Sequence, residues 1–200
     1  MRFLIAASLM LTPAPARLVI MGDSISADGG GGASSLANSF PVIVATHLEL
    51  TLDYRAIAGT MIAEQAVPMD LHPGDTVLWL TGRNDMRHGN DAGAYGSVLR
   101  ASVASMLAQG ATVYLAGCLP MPDAGYATYP PDWDDGSAEL CDAYTEQIRT
   151  VPGAIFVPLH YDTVNVNPDL SHPNDAGHAQ IAASFLRAMR RRVYLAGVCR

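Results

Sequence analysis

The sequence predicts an α/β protein, a three-layer α/β/α sandwich around a mostly parallel five-stranded sheet. Three observations carry this reading. Five short apolar runs recur, at 18–21, 52–58, 76–80, 112–116 and 155–159. Several are nearly continuous rather than alternating, as in Leu18-Val19-Ile20-Met21 and Val77-Leu78-Trp79-Leu80, which is the pattern of strands covered on both faces. The segments between them mostly have room for a crossover helix, so the chain reads as repeated β-α units.

Taken in order, the first run breaks at Gly22-Asp23-Ser24 and is followed by the glycine run 29–32, one of two conspicuous loops. A helix is expected over 37–48, and the second run, 52–58, closes on Gly59. The third run is followed by Gly82-Arg83-Asn84-Asp85. The helix expected over 92–108 stops at Gln109-Gly110, a usual helix end. The fourth run precedes the second conspicuous loop, 120–136. A helix over 137–150 is closed by Val151-Pro152-Gly153 before the fifth run. The last helix, 173–193, sets Ile181, Phe185 and Met189 on one face at i, i+4 and i+8. There is no internal repeat or long linker, so residues 17–200 read as a single domain.

Half of the residues are hydrophobic and 16% are charged, as in a chain with one sizeable core. The net charge of −7 argues against nucleic acid as a partner, because phosphate binding needs a basic surface. Arg187, Arg190, Arg191 and Arg192 suit the dipole at the end of the last helix instead. The chain has no lysine, which removes P-loop, Schiff-base and Ser-Lys chemistry. Residues 1–16 read as a signal peptide: Arg2, an apolar stretch too short to span a membrane, then small residues at Ala14 and Ala16. A secreted or periplasmic protein is therefore expected, with no transmembrane segment. In such a protein Cys118 and Cys141, which flank a loop-rich stretch, are expected to pair, leaving Cys199 over. No Cys-x-x-Cys or close Cys-His spacing suggests zinc.

Four blocks carry the chemistry: Gly22-Asp23-Ser24-Ile25-Ser26, Ala56-Ile57-Ala58-Gly59-Thr60, Gly82-Arg83-Asn84-Asp85 and Asp169-Leu170-Ser171-His172-Pro173. They contain a nucleophile, an amide donor, and a base with a carboxylate three residues upstream, the parts that acyl transfer through a serine ester requires. In these blocks and their order the chain resembles the GDSL-type, or SGNH, hydrolases. The resemblance implies the flavodoxin-like strand order 2-1-3-4-5. It also implies Ser24 as nucleophile, with His172 and Asp169 completing the triad. The oxyanion hole it implies is made of the Ser24 and Gly59 amides and the Asn84 side chain, with no cofactor and no metal. Ser24, Gly59 and Asn84 each follow a strand, so all three would meet at the edge of the sheet where ligands bind.

A serine hydroxyl needs a base within hydrogen-bond reach. Asp169 can take the Nδ1 proton of His172 and leave Nε2 for Ser24. Pro173 suits the first position of the last helix, which would put His172 at the N-terminus of that helix, where the dipole opposes imidazolium. His178, within the helix, reads as a packing or surface residue; a metal site from Asp169, His172, Asp175 and His178 is the remote alternative. Asp85 reads as a loop-bonding residue that holds Asn84, and Arg83 has no assigned role. The expected activity is hydrolysis of carboxylic esters by a monomer acting on a small-molecule, carbohydrate or lipid ester. An acyltransferase would use the same residues, and a non-catalytic binding module the same fold. Tyr126, Tyr129 and Trp133 in the 120–136 loop, among Asp123, Asp132, Asp134 and Asp135, suggest a wet rim and short acyl groups, acetyl to butyryl.

Overall fold

The computed structural model describes residues 15–65, 67–126 and 138–198, except the side chains of 192–198. In chain order its elements are β1 (Arg17–Gly22), α1 (Phe40–Leu48), β2 (Thr51–Tyr54), β3 (Thr76–Leu80), α2 (Arg83–Arg87), α3 (Ala92–Ala108), β4 (Thr112–Ala116), α4 (Asp123–Tyr126), α5 (Ala138–Arg149), β5 (Ile155–Val157) and α6 (Asp175–Val198). All four strand pairs are parallel, and the strands lie in the order 2-1-3-4-5.

The continuous apolar runs are explained by the two cores they feed. Alternate residues of each strand point to opposite faces. On one face Val19, Met21, Val77, Trp79, Val113 and Leu115 pack with Leu99, Val103, Tyr144 and Ile148 from α3 and α5. On the other, Leu18, Ile20, Leu78 and Leu80 pack with Phe40 and Val44 of α1 and Ile181 and Phe185 of α6. Phe40 and Phe185 stack with ring centroids 5.7 Å apart. Ile181 and Phe185 are fully buried and Met189 is nearly so, the face expected of that helix.

Two strands are shorter than their apolar runs. β5 stops at Val157, where Pro158 offers no N–H to the ladder. β2 ends at Tyr54, yet the Arg55 amide still donates to Ile20 O (2.8 Å) and the Ile57 amide to Gly22 O (3.0 Å). The chain therefore stays beside β1 until it has delivered Gly59 to the sheet edge. Where the strands start, Asp75 ties them together: its carboxylate accepts the Arg17 amide (2.9 Å), the Arg17 guanidinium (2.7 Å) and the His72 amide (2.9 Å). Burial alone would raise the pKa of this carboxyl, but the bonds from Arg17 and His72 outweigh it and hold it below the usual carboxylate range.

Two expectations are corrected here. Cys118 and Cys141 are both buried and unpaired. The Cys141 thiol donates to the Cys118 carbonyl (3.1 Å), so both serve as small core groups at the contact between β4 and α5; Cys199 lies outside the described residues. Tyr126 is not a rim aromatic. It is buried and its hydroxyl accepts the Met121 amide (3.3 Å); Tyr129, Trp133 and the acidic residues Asp132, Asp134 and Asp135 lie outside the described residues. Among the described residues, no helix is long and apolar enough to cross a membrane.

Candidate active site

β1 ends at Gly22 with φ 134°, and a Cβ there would stand 2.3 Å from Leu80 O, so only glycine allows the sharp exit from the sheet. Asp23 turns inward. It is buried, and its carboxylate accepts the Ile25 amide (3.1 Å) while its carbonyl accepts the Ser26 amide (3.1 Å). Burial pushes the Asp23 carboxyl up, against the pull of the Ile25 amide and the guanidinium charges of Arg83 and Arg87. Within 21–27 Ser24 alone is not buried, so this turn presents one hydroxyl at the sheet edge.

His172 arrives from the other end of the chain. One oxygen of Asp169 accepts the amides of Ser171 (2.9 Å) and His172 (3.0 Å), and the other lies 2.7 Å from His172 Nδ1. Burial would raise this carboxyl; the two amides and the ring outweigh it and hold its pKa low. An ionised carboxylate only accepts, so Nδ1 carries the proton and the bare Nε2 faces Ser24 Oγ at 2.9 Å. Leu170 takes a left-handed φ of 55° to let Asp169 fold back on the turn.

The expectation that Pro173 begins the last helix is corrected. Pro173 bridges antiparallel to Val166, the Asn167 amide donates to His172 O (2.8 Å) and the Asn174 amide to Asn165 O (3.0 Å). The helix begins at Asp175. Asn174 caps it, its side-chain oxygen accepting the Gly177 amide (3.1 Å), a better cap than the imidazole of His172. His172 thus sits on a small hairpin, and the Asp169 carboxylate rather than a helix dipole sets its tautomer.

The oxyanion candidates are joined by their own hydrogen bonds. Asn84 is buried at the start of α2 and gives one amide hydrogen to Thr60 O (3.0 Å), which orients the group and leaves the second hydrogen available. Asp85 accepts the Ile62 amide (2.9 Å) and the Asn90 side chain (3.3 Å); it pins the loop that carries Gly59, the structural part expected of it. Gly59 has φ 79° with open space where a Cβ would be, so glycine is used here for its backbone and not for room. Asn84→Ala is expected to lower kcat by about 10²–10³ with KM little changed, the size of one oxyanion donor; steady-state kinetics on a soluble ester checks this.

The sequence reading missed the part played by His178. This ring is fully buried; Nδ1 accepts the Phe40 amide (3.2 Å) and Nε2 donates to Gly31 O (3.0 Å). Burial, the largest influence, depresses its pKa. Through this bond it holds the 29–32 loop against the site. Asn167 adds a bond to Gly32 O (2.7 Å), and a Cβ on Gly32 would stand 2.6 Å from His172 Cβ. The four-glycine run was the signal available in the sequence. Asp175 turns away as well, accepting the Ser34 hydroxyl (2.6 Å) and the Asn38 amide (2.9 Å). Among the described residues no group of three His, Cys, Asp or Glu could hold a metal ion.

In front of Ser24 lies an open recess of about 500 Å³, lined on one side by the glycine loop and on the other by Ala56, Ile57 and Ala58, with His172 at its wall. The fold and this line of groups define a class: a parallel α/β sandwich with one serine at the carboxyl edge of its sheet and a histidine–carboxylate pair brought to it from the last connection. Residues 20–180 match the GDSL-like lipase/acylhydrolase family, and the chain belongs to that family. No curated protein matches it.

Solved structures share the fold. A member of the lipolytic protein G-D-S-L family from Veillonella parvula superposes with a TM-score of 0.69 at 17% identity, over 88% of this chain and 99% of that one. The acetylxylan esterase Axe2 of Geobacillus stearothermophilus gives 0.62 at 20%, over 88% and 94%. The salicylyl-acyltransferase SsfX3 of a tetracycline biosynthetic pathway gives 0.66 at 19%, over 90% of this chain; the chain spans 55% of that protein's length.

Proposed function

We propose that the protein hydrolyses carboxylic esters through an acyl-serine on Ser24. The observation that carries this is the unbroken contact from Ser24 Oγ to His172 Nε2 (2.9 Å) and from His172 Nδ1 to Asp169 (2.7 Å). Ser24 Oγ attacks the ester carbonyl as its proton passes to Nε2, and the oxyanion is held by the Ser24 and Gly59 amides and the Asn84 side chain. Nε2 returns the proton to the leaving alcohol oxygen. Water, deprotonated by the same nitrogen, then attacks the acyl carbon and frees the acid and the serine. Asp169 stays ionised and holds the imidazolium.

The substrates are short-chain esters, acetyl to butyryl. Support comes from the small side chains of the recess and from its wetness: the Asp169 carboxylate at its edge is half exposed. Labelling by a fluorophosphonate, lost in Ser24→Ala, tests the nucleophile; no labelling of the folded parent protein would favour a binding module. Values of kcat/KM for acetyl, butyryl, octanoyl and palmitoyl esters of one alcohol test the chain length, and an optimum at eight carbons or longer would overturn it. Turnover with added alcohol separates hydrolysis from acyl transfer. Export after removal of residues 1–16 belongs to the same proposal and is tested by N-terminal sequencing of the mature protein.

A further inference from the structure

Two arginines are buried beneath the site, and the mechanism just described does not use them. Arg83 and Arg87 are 2% and 6% exposed. They lie four residues apart on α2, so their guanidinium groups share one face of the helix. Like charges placed so repel, and each charge costs several kcal/mol to bury. The pKa of Arg87 is pressed down by that burial first and by the Arg83 charge second. Apolar side chains of similar size would fill the space at lower cost. The two arginines need an explanation beyond packing.

Both reach the same residue. Arg83 Nη1 donates to the Ser171 carbonyl, and Arg87 Nη2 donates to the Ser171 hydroxyl (3.0 Å). Ser171 stands between Asp169 and His172, and its own amide is held by the Asp169 carboxylate (2.9 Å). The residue is therefore gripped on both sides, by Asp169 at N–H and by Arg83 at C=O. That carbonyl shares its planar peptide unit with the His172 amide, which Asp169 also accepts (3.0 Å). Fixing the Ser171 carbonyl fixes the plane of that peptide and, through it, the line from Nδ1 to the carboxylate. Asn84 lies on the same helix, between the two arginines in sequence.

We propose that Arg83 and Arg87 are positioning residues that hold the Asp169–His172 turn in register with Ser24 and Asn84. Short, rigid α2 then sets the distance between the donor for the oxyanion and the base that moves the proton. The inference rests on the ester-hydrolase reading above. It assigns a purpose to Arg83, which fills an open position of its motif, and to Ser171, which is buried and outside the triad.

The test uses Arg83→Met, Arg87→Met and Ser171→Ala, with each arginine variant also combined with Ser171→Ala. Removing one arginine leaves the buried Asp23 carboxylate without part of its compensating charge and a loss of stability is expected, so thermal melts of each variant separate a lost fold from a lost register. Each arginine variant is expected to lower kcat by about 10–100-fold with KM little changed, the cost of a misplaced base. Ser171→Ala, which removes the hydroxyl that accepts from Arg87 and keeps the carbonyl that accepts from Arg83, should be milder. Its effect should vanish in the Arg87→Met background and persist in the Arg83→Met background.

Proton NMR supplies a readout independent of turnover. The strongly downfield Nδ1–H resonance of His172 should be present in the parent and weakened or absent in Arg83→Met. If the parent shows that resonance but hydrolyses no ester, the functional reading fails while the positioning can still be judged from the spectrum. The proposal is overturned if the resonance is unchanged in a folded Arg83→Met or, where that variant does not fold, if Ser171→Ala and Arg87→Met act independently on kcat.

Discussion

Ser24→Ala is expected to remove ester turnover, a fall in kcat of at least about 10³-fold, while the melting temperature stays close to that of the parent. The Ser24 hydroxyl lines the recess, and the turn itself is built without it, from the Asp23 side chain and the Asp23 carbonyl. Among the described residues the one hydrogen bond of Ser24 Oγ is its contact with His172 Nε2. His172→Ala should cost as much, and the double variant no more than either single one, because serine and imidazole act as one unit. Asp169→Asn should be severe, because an amide can no longer fix the Nδ1–H tautomer, but milder than the other two, because the carboxylate orients the base rather than reacting. Kinetics at substrate concentrations well above KM, beside melts of the four variants and the parent, check the series; residual activity of Ser24→Ala within tenfold of the parent would remove it from the reaction.

Gly32→Ala is expected to be nearly as damaging, although the residue takes no part in bond making. Its φ is +99°, and a methyl group there would stand 2.6 Å from His172 Cβ, 2.7 Å from Asn167 Nδ2 and 2.7 Å from Pro173 O. The first of these is the base itself, and the other two belong to the hairpin that carries it. None can yield without shifting the imidazole, and a displacement of about 1 Å is enough to cost about 10² in rate. The expected result is a fall of about 100-fold in kcat together with a lower melting temperature. Gly29 is the internal control: a Cβ there meets nothing within 4 Å, so Gly29→Ala should leave both quantities as they were. Equal behaviour of the two variants would show that the loop does not bear on the base.

The fold was legible because its signals are local. Continuous apolar runs mark doubly covered strands, and Gln109-Gly110 and Val151-Pro152-Gly153 mark helix ends; α3 was placed at the residues where it lies. The residues of the candidate site were legible because each sits in a short block against a strand or helix end. What could not be read depends on contacts between distant segments. Pro173 looks like a helix start until Val166 pairs with it. His178 looks like a packing residue until Gly31, far back in the chain, is seen to accept its proton. Cys118 and Cys141 are indeed neighbours, but spacing does not tell a disulfide from a thiol bonded to a carbonyl. Arg83 was opaque for the same reason: its partner, Ser171, lies 88 residues further along the chain.

The His178 bonds also make the protein a proton-linked device at its rear. Both ring nitrogens are committed, Nδ1 as acceptor and Nε2 as donor. Taking up a second proton would turn Nδ1 into a donor facing the Phe40 N–H, and that bond would be lost. The unfolded chain accepts this proton near the usual histidine pKa of about 6.5, whereas the folded chain accepts it only at lower pH. The unfolded state therefore binds more protons in that interval, and stability falls as the pH drops below about 6.5, by at most about 1.4 kcal/mol for each pH unit. Urea melts across this range should lose that slope in His178→Gln. Acid tolerance is thus set partly by a ring that no substrate touches, through the loop it holds behind the base.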